Sequence, residues 1–252
     1  MRVRVRYEKT GRIRFISAID LGRVWERAIR KADLPIAFSE GFTPHPKISF
    51  ADALPLGYAS RGEYAELTFA APIRLGQAVE AVNAAFPDGL AVLHAVEVAE
   101  GEPKLATRLR ASCWDVTYPE GGGLSRRGTP LNPLARAVDA VRAAETLPIV
   151  RERKGSPITV DLCPAIHQIS LRSASVRMTL HHTEPLVRPS QAHLALRGFC
   201  PDLPDATLIT RVAQGVPVDE GLIEALSGQL VRPYPQPTQP ESARHLSDQR
   251  VG

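Results

Sequence analysis

The stretch Arg2-Val3-Arg4-Val5-Arg6-Tyr7 alternates strictly between basic and apolar side chains at the start of the chain. This alternation predicts a β-strand, because successive side chains of a strand point to opposite faces of the sheet. Val3, Val5 and Tyr7 would share the face that packs in a core. The arginines would share the other face, which cannot be core, so the sequence predicts a sheet with one face covered by helices and one face open.

A basic amphipathic helix is predicted after this strand. Ser17 offers an N-cap, apolar residues recur at helical spacing from Leu21 to Ala32, and Pro35 ends the pattern. The helix would pack on the sheet by its apolar side and present positive charge elsewhere. The cations of this helix are Arg23, Arg27, Arg30 and Lys31.

The first hundred residues show the order strand, helix, strand, strand, helix, strand. Short strands are predicted at 47–51 and 62–69, a helix from Leu75 and a last strand at 90–98. This βαββαβ order is that of the ferredoxin-like fold. A less regular version recurs over 111–215, so the expected fold class is α+β, with two ferredoxin-like units in tandem.

The second unit and the end of the chain are predicted in less detail. A strand pair is expected at 147–153 and 158–166, and a closing strand at 206–212. Residues 99–110 are polar and basic and are expected to link the two units. Residues 228–252 are rich in Pro, Gln and Ser and cannot build a packed core, which predicts a disordered tail.

The composition favours a cytoplasmic protein. The chain of 252 residues contains no apolar run of about 18 residues and no charged-then-apolar leader, which argues against a membrane span and a signal peptide. Cys113, Cys163 and Cys200 are far apart and odd in number, so neither a disulfide framework nor a C-x-x-C metal site is indicated. No cofactor and no metal is expected from the motifs present.

Positive charge is concentrated at the start of the chain. Residues 1–50 contain eleven Lys and Arg against five Asp and Glu, a net charge of +6, whereas the whole chain has a net charge of +4. A basic region of this kind favours a polyanionic partner such as RNA. A solvated basic face is the simpler alternative for any single cluster.

The segment Phe38-Ser39-Glu40-Gly41-Phe42-Thr43-Pro44-His45-Pro46-Lys47-Ile48-Ser49-Phe50 is predicted to be a shaped loop. Its prolines restrict φ and hold His45 on a stiff support, and Gly41 permits a turn. The loop is either a rigid connector or a contact loop for a ligand or RNA.

The arginines of the first strand are the second candidate for RNA contact. The alternative is that they pair with Glu66 or are covered by the second unit. The residues that we predict to contact RNA are Arg2, Arg4, Arg6, Arg14, Ser39, Phe42, His45 and Lys47.

The run from Leu34-Pro35 through this loop to Leu54-Pro55-Leu56-Gly57 resembles the signature of the radical SAM-linked proteins of the DUF2344 type. The resemblance is strong over residues 1–100 and looser at 160–162 and 209–211. It implies a bacterial, cytoplasmic accessory protein that acts with a radical SAM iron–sulfur protein in RNA metabolism. Family members are often encoded near a ribonuclease of the E/G type.

Three functions are consistent with these observations. The first is an RNA-binding or substrate-presenting module without catalytic chemistry. The second is a metal-independent RNA-processing or RNA-modifying enzyme in which His45 acts as acid or base and Lys47 stabilises phosphate charge. The third is a protein-binding adaptor for a radical SAM enzyme. The sequence contains no C-x-x-x-C-x-x-C motif, so the iron–sulfur cluster would belong to the partner.

Overall fold

The computed structural model describes residues 1–119, 133–153 and 155–234, and the predicted α+β class is confirmed. None of the helices formed by these residues has the length and apolar character needed to span a membrane. The helices are α1 (Ala18–Lys31), α2 (Leu75–Ala85), α3 (Pro133–Ala143) and α4 (Pro189–Phe199). The strands are β1 (Arg2–Lys9), β2 (Ile48–Phe50), β3 (Ala59–Thr68), β4 (Leu90–Glu97), β5 (Ala111–Thr117), β6 (Pro148–Arg153), β7 (Ser156–Asp161), β8 (Ile166–Arg172), β9 (Ser175–His181), β10 (Leu208–Val218), β11 (Gly221–Glu224) and β12 (Leu230–Val231).

In the first half of the chain, β1 lies between β3 and β4. β2 pairs with the other side of β3, and all neighbours are antiparallel, so the order is β4-β1-β3-β2. Val3, Val5 and Tyr7 of β1 are buried, which confirms the predicted core face. The apolar side of α1 packs in the same core, and Ser17 caps this helix by accepting a hydrogen bond from Asp20 N.

The second half shows the same order with different strands. β5 lies between β10 and β9, and β8 follows β9, so the order is β10-β5-β9-β8. α3 and α4 pack in a second core that includes Leu134, Val138 and Leu196. β6 and β7 form a separate two-stranded sheet, joined at Gly155, whose φ of +80° favours glycine.

The strand pair predicted at 147–153 and 158–166 is therefore present, but it does not belong to the main sheet. The strand that pairs with β9 is β8, which the sequence did not predict. β7 alternates apolar and polar residues over 158–161, and a local hairpin satisfies this alternation as well as a place in the large sheet does. β10 also extends beyond the predicted 206–212 and continues into β11.

The two halves form one sheet, because β3 and β10 pair in parallel at its centre. Ser60 aligns with Arg211 across this pair. The two backbones come so close that a Cβ on Gly62 would lie 2.6 Å from Ala213 Cα, so a glycine is required. β2 pairs with the same edge of β3 as β10 does, but at residues 65–67 instead of 59–60. Because β2 is antiparallel to β3, the chain that leaves β2 runs along this edge towards β10.

The predicted linker at 99–110 is packed against the sheet. Its Leu105 and Leu109 are buried together with Tyr64. Tyr64 alternates with the core-facing Ala65, so this contact covers the face of β3 that the sequence predicts to be open. Two leucines in an otherwise polar segment supply enough apolar surface to favour this packing.

The predicted tail begins later than the sequence indicates. β12 pairs with β11, and Tyr234 N donates to Ser170 Oγ at 2.9 Å. The expectation of disorder is therefore wrong for residues 228–234, because the few apolar residues there complete a small hairpin. The remaining part of the predicted tail, 235–252, lies outside the described residues.

Candidate functional site

The arginine face of β1 is covered around Arg4 and largely covered at Arg6, and only Arg2 remains exposed, so the expectation of an open face is wrong for most of this face. Arg4 is 0 % exposed. Its Nε donates to Glu66 Oε2 at 2.9 Å, its Nη1 donates to Glu102 Oε1 at 2.7 Å, and its Nη2 donates to the carbonyl of Pro103. Glu66 stands opposite Arg4 on β3, and Glu102 comes from the segment that packs over the sheet. The structure therefore removes Arg4 from the surface that RNA could reach.

The other two arginines of this face are also paired. Arg2 Nη1 lies 3.3 Å from Glu66 Oε1, and its side chain remains 43 % exposed. Arg6 donates from Nε to the carbonyl of Arg61 at 2.8 Å and from Nη2 to the carbonyl of Val212 at 3.1 Å. Arg6 therefore ties β1 to β3 and β10, whereas Arg2 remains accessible to solvent.

The predicted loop is held closed by its own backbone and presents its tip to solvent. Ser39 N donates to the carbonyl of His45 at 2.8 Å, and Ser39 Oγ accepts from His45 N at 3.0 Å. Ser39 is thus used to shape the loop. Phe42 is fully exposed, and His45 and Lys47 are exposed as well. These three residues are available to a partner.

Arg14 does not join this loop. Thr68 N donates to the carbonyl of Lys47 at one end of β3, whereas Gly57 N donates to the carbonyl of Arg14 just before the other end. β3 has 10 residues, so its ends are about 30 Å apart. The Arg14 guanidinium lies over the ring of Phe15, 4.5 Å from its centroid, and Phe15 is 60 % exposed. Each end of β3 therefore carries an exposed aromatic residue and cations.

The helix α1 connects these two ends. Its 14 residues span about 21 Å, from the neighbourhood of Phe15 to the segment that leads into the loop. Its apolar side is buried, so its cations lie on the surface. Arg23 Nη1 lies 3.3 Å from Asp20 Oδ1 in an exposed ion pair. The exposed cations, which we call the α1 ridge, are Arg23, Arg27, Arg30 and Lys31.

A second set of charges, which no motif predicts, lies at the junction of the two halves. Glu63, Arg211 and Lys9 are 2 %, 3 % and 2 % exposed. Arg211 Nη1 lies 3.1 Å from Glu63 Oε1, and its Nη2 lies 3.0 Å from Asp52 Oδ2. Lys9 Nζ donates to the carbonyl of Ile16 at 3.0 Å. We call Lys9, Asp52, Glu63 and Arg211 the ion cluster.

The ion cluster assembles because β1, β3 and β10 are neighbours in the sheet. Lys9 and Glu63 are in phase with the core-facing residues of their strands. Asp52 follows β2 and approaches Arg211 from the side. The Arg211 guanidinium also lies over the ring of Trp114, 4.7 Å from its centroid, a favourable cation–π contact.

Burial changes the acid–base properties of the ion cluster. It raises the pKa of Glu63, and the positive charge of Arg211 opposes this increase. It lowers the pKa of Lys9, and the carboxylate of Glu63 opposes this decrease. Burying charges is unfavourable, and perturbed charged groups in a cleft are often functional. The ion cluster is therefore a candidate site in its own right.

Two neighbouring cavities open onto the ion cluster. The larger cavity has a volume of about 330 Å³ and is lined by Lys9 and Glu63 together with aromatic and aliphatic side chains. The smaller cavity has a volume of about 80 Å³ and is lined by Arg211 among other residues. Asp52 and Ala53 line both cavities. The larger cavity is thus lined by the first half alone, whereas residues of both halves line the smaller one, and the two cavities adjoin beside the ion cluster.

The smaller cavity also contains a histidine with one defined tautomer. His182 Nδ1 donates to the carbonyl of Leu109 at 2.8 Å, and its Nε2 accepts from Ser112 Oγ at 2.7 Å. Burial lowers the pKa of His182, in agreement with a neutral ring. Within the described ranges, no three His, Cys, Asp or Glu side chains are grouped so that they could hold a metal ion.

Two members of the ion cluster could have been found from the sequence. Glu63 is in phase with the core-facing Ala65, and Lys9 is in phase with the core-facing Tyr7. A charged residue on a core face requires a partner or lines a site. The partner of Glu63 is Arg211, 148 residues later in the chain, and only the fold could identify it.

A family model matches most of the chain. The family is described as "Uncharacterized protein conserved in bacteria (DUF2344)", and the match covers residues 2–189. It includes Lys9, Asp52 and Glu63, and it ends at the first residue of α4, before Arg211. No curated protein matches the chain. The family description names no activity, so function has to be argued from the two candidate surfaces.

Proposed function

This chain belongs to the DUF2344 family of bacterial proteins, and from this premise we propose that it is a cytoplasmic RNA-binding module that presents single-stranded RNA without catalytic chemistry of its own. The loop at 38–47 is one RNA contact element. The basic surface is the α1 ridge and not the arginine face of β1. The observation that carries it is the presence of exposed aromatic rings and cations at both ends of a basic helix.

The aromatic rings supply the part of the surface that binds bases. Phe42 is fully exposed, and Phe15 is 60 % exposed beside the Arg14 guanidinium. Proteins bind single-stranded RNA by stacking its unpaired bases on aromatic and guanidinium groups. Both rings are therefore available to stack on bases.

The α1 ridge supplies the part of the surface that binds phosphates. It lies between Phe15 and the loop, so one strand could contact both aromatic ends and the ridge. Lys47 and His45 add donors at the loop end. Contacts between cations and phosphates supply most of the affinity of non-specific nucleic-acid binding.

The fold also favours the helix and loop side over the open face of the sheet as the RNA-binding surface. The order β4-β1-β3-β2 in the first half and β10-β5-β9-β8 in the second half supports the interpretation of two ferredoxin-like units, with β6 and β7 inserted in the second. RNA-recognition proteins of this type often bind bases on the open face of the sheet. In the first half that face is covered around Arg4, so the helix and loop side is the better candidate.

We propose in addition that the RNA is presented to a radical SAM iron–sulfur protein. The support comes from the sequence resemblance of residues 34–57, and the adaptor hypothesis is part of the same proposal. Cys113, Cys163 and Cys200 are free and come from β5, from the segment after β7 and from the end of α4. A cluster would therefore be supplied by the partner.

Fluorescence anisotropy with a labelled single-stranded oligoribonucleotide tests RNA binding. We expect an affinity that falls steeply with salt, since each phosphate contact contributes about 0.7 to the slope of log K against log salt concentration. Phe42→Ala should weaken binding roughly 5- to 150-fold, because stacking of one base contributes about 1–3 kcal/mol.

A matched pair of arginine variants tests whether RNA binding depends on the α1 ridge or only on the total positive charge of the protein. Arg27→Ala should lower the affinity and reduce the salt slope by about 0.7. Arg136 is exposed on α3, so Arg136→Ala makes the same charge change outside the proposed surface and should alter neither. Absence of binding, or an equal loss in both variants, would refute the RNA-binding proposal.

The alternative of an enzyme that uses His45 is tested with the same samples. The backbone of His45 is bonded to Ser39, but its imidazole forms no hydrogen bond with the described residues. An acid–base histidine is normally oriented by such a bond. We expect the RNA to stay intact on a denaturing gel and in mass spectrometry. Cleavage or modification that is lost in His45→Ala would support the enzyme instead.

A further inference from the structure

We infer that the larger cavity binds a guanine base. The inference rests on the proposed RNA-binding function only if the guanine belongs to an RNA strand, since a free guanine nucleotide offers the same ring. It follows from the size of the cavity, from its walls, and from the unused hydrogen-bonding capacity of Lys9 and Glu63.

The size and walls of the cavity suit one base. Its volume of about 330 Å³ lies at the lower end of the range of about 300–1,000 Å³ that is typical of ligand pockets. Leu21, Phe50 and Leu54 form apolar walls against which the flat faces of a base can pack. Tyr7 lines the cavity as well and is buried. Apolar walls with a few polar groups are the usual composition of such pockets.

Lys9 and Glu63 retain hydrogen-bonding capacity inside the cavity. An ammonium group has three N–H donors, and Lys9 Nζ donates to the carbonyl of Ile16 at 3.0 Å. A carboxylate accepts about four hydrogen bonds, and Glu63 is engaged by Arg211 at 3.1 Å and by Ser60. Both groups line the cavity, and in the described structure no hydrogen bond joins them.

The edge of guanine complements this pair of groups. Its N1–H and its N2 amino group can donate side by side to a carboxylate, while its O6 accepts from an ammonium group. Adenine and cytosine offer one amino group to Glu63 and a ring nitrogen to Lys9. Uracil offers a single N–H between two carbonyl groups, so it would leave the carboxylate less satisfied.

The smaller cavity provides a place for the phosphate of the same nucleotide. It adjoins the larger one at Asp52 and Ala53, and Arg188 and Arg211 line it. Nε of Arg211 is buried and has no hydrogen-bond partner among the described residues. Guanidinium groups bind phosphate well. The Asp52 carboxylate would repel a phosphate, so we place a ribose hydroxyl, which can donate to it, at this boundary.

The opening of the larger cavity lies beside the proposed RNA surface. Ala18 and Ala53 line the cavity and are exposed, so they mark the side that solvent reaches. Ala18 begins α1 and follows closely after Phe15 in the chain. A base that is turned out of an RNA strand could enter here while a neighbouring base stacks on Phe15.

Isothermal titration of the full chain with GMP, AMP, CMP and UMP tests the inference. We expect GMP to bind most tightly and UMP most weakly, with a difference of roughly tenfold or more, since unpaired polar groups are costly. Guanosine should bind more weakly than GMP because it lacks the phosphate. GMP that binds no more tightly than UMP would overturn the guanine site.

Two tryptophan variants test the location. Ala18→Trp places an indole in the opening and should lower the affinity for GMP about tenfold or more, since it competes for the space of the base. Ala143 is exposed on α3, so Ala143→Trp is the matched control and should leave the affinity unchanged. Glu63→Gln tests the carboxylate directly. If circular dichroism shows that this variant is unfolded, Ala18→Trp still decides, and GMP binding unaffected by it overturns the inference.

Different results would refute the guanine site and the RNA-binding function. RNA binding without GMP binding overturns the guanine site and leaves the proposed function intact. GMP binding without RNA binding supports the guanine site, assigns it to a free nucleotide and overturns the proposed function. GMP that displaces a guanine-containing oligonucleotide but not oligouridine identifies an RNA base as the ligand.

Discussion

Arg4 is the residue that decides which surface of the first half is available. It stands in an alternating strand where its neighbours Val3 and Val5 are core, and its own side chain is buried on the other face. Two carboxylates and one carbonyl satisfy its guanidinium. Its role is therefore to hold the segment at 99–110 on the sheet rather than to contact a partner.

We expect Arg4→Ala to destabilise the fold. The change leaves Glu66 and Glu102 without their common partner, and breaking a buried ion pair costs about 3–5 kcal/mol. Both acids keep some contact with solvent, so we expect roughly 3 kcal/mol, the lower end of this range. Urea unfolding measures the change. The control Arg2→Ala should lower the free energy of unfolding by no more than about 1 kcal/mol. An equal decrease in the two variants would contradict the structural role of Arg4.

We expect His182 to make the free energy of unfolding depend on pH below neutrality. Burial lowers its pKa in the folded state, so the unfolded chain takes up the proton first as the pH falls. The free energy of unfolding should therefore decrease as the pH falls from about 6.5, the unfolded value, towards the lower folded value. Protonation would also break the hydrogen bond from Ser112 to Nε2.

Urea titrations near neutral pH and near pH 5 measure this effect. His182→Gln should lose less stability on acidification than the parent chain, whereas His45→Gln, a change on the exposed loop, should lose as much. His181 and His193, whose pKa values burial also lowers, contribute with the same sign and remain in both variants. An identical pH dependence in His182→Gln and the parent would contradict the assignment.

Among the elements, the pair of β3 and β10 is the one on which the architecture depends. The two strands meet in parallel over few residues, and the backbone of β10 comes close to Gly62 of β3. A methyl group there would lie 2.6 Å from Ala213 Cα, which is backbone and cannot move aside as a side chain does. The ion cluster lies at the same place, so the junction positions the site.

We expect Gly62→Ala to destabilise the chain by about 1–3 kcal/mol, because the methyl group overpacks the strand pair. Gly76 lies in α2, and a Cβ there meets nothing within 4 Å. The control Gly76→Ala lies in the first turn of α2, so it should stabilise the chain by no more than about 0.5–1 kcal/mol, the value for glycine in the middle of a helix. Thermal or urea unfolding distinguishes the two outcomes, and a neutral Gly62→Ala would show that the strands can separate without cost.

At the scale of the whole molecule, the two halves complete each other. The residues at 99–110 cover the arginine face of the first half, and β10 covers the edge of β3. Arg211 of the second half neutralises Glu63 of the first. Each half alone would therefore expose apolar surface and leave buried charges without partners.

We expect the fragment 1–100 not to fold on its own. Without the second half, Glu63 lacks Arg211 and Arg4 lacks Glu102, so the fragment should show no cooperative unfolding by circular dichroism. Mixed with the fragment 101–252, it should recover cooperative unfolding, since the missing strand and charges return. Cooperative unfolding of 1–100 alone would show that the halves are independent domains.

The sequence by itself determined the features that depend on near neighbours in the chain. The α+β class, the core face of β1, the capped basic helix α1 and the presence of a shaped loop after this helix all follow from periodicity, capping and turn-forming residues. These features require only that residues a few positions apart share a face or a turn.

The tertiary structure alone decided which faces meet water. Alternation shows that Arg2, Arg4 and Arg6 share a face, but only the packing of residues 99–110 shows that this face is covered around Arg4. The same holds for Glu63, whose partner lies 148 residues away. The physical reason is that a side-chain pattern specifies a direction relative to the backbone, whereas burial and charge pairing depend on segments that are distant in the chain.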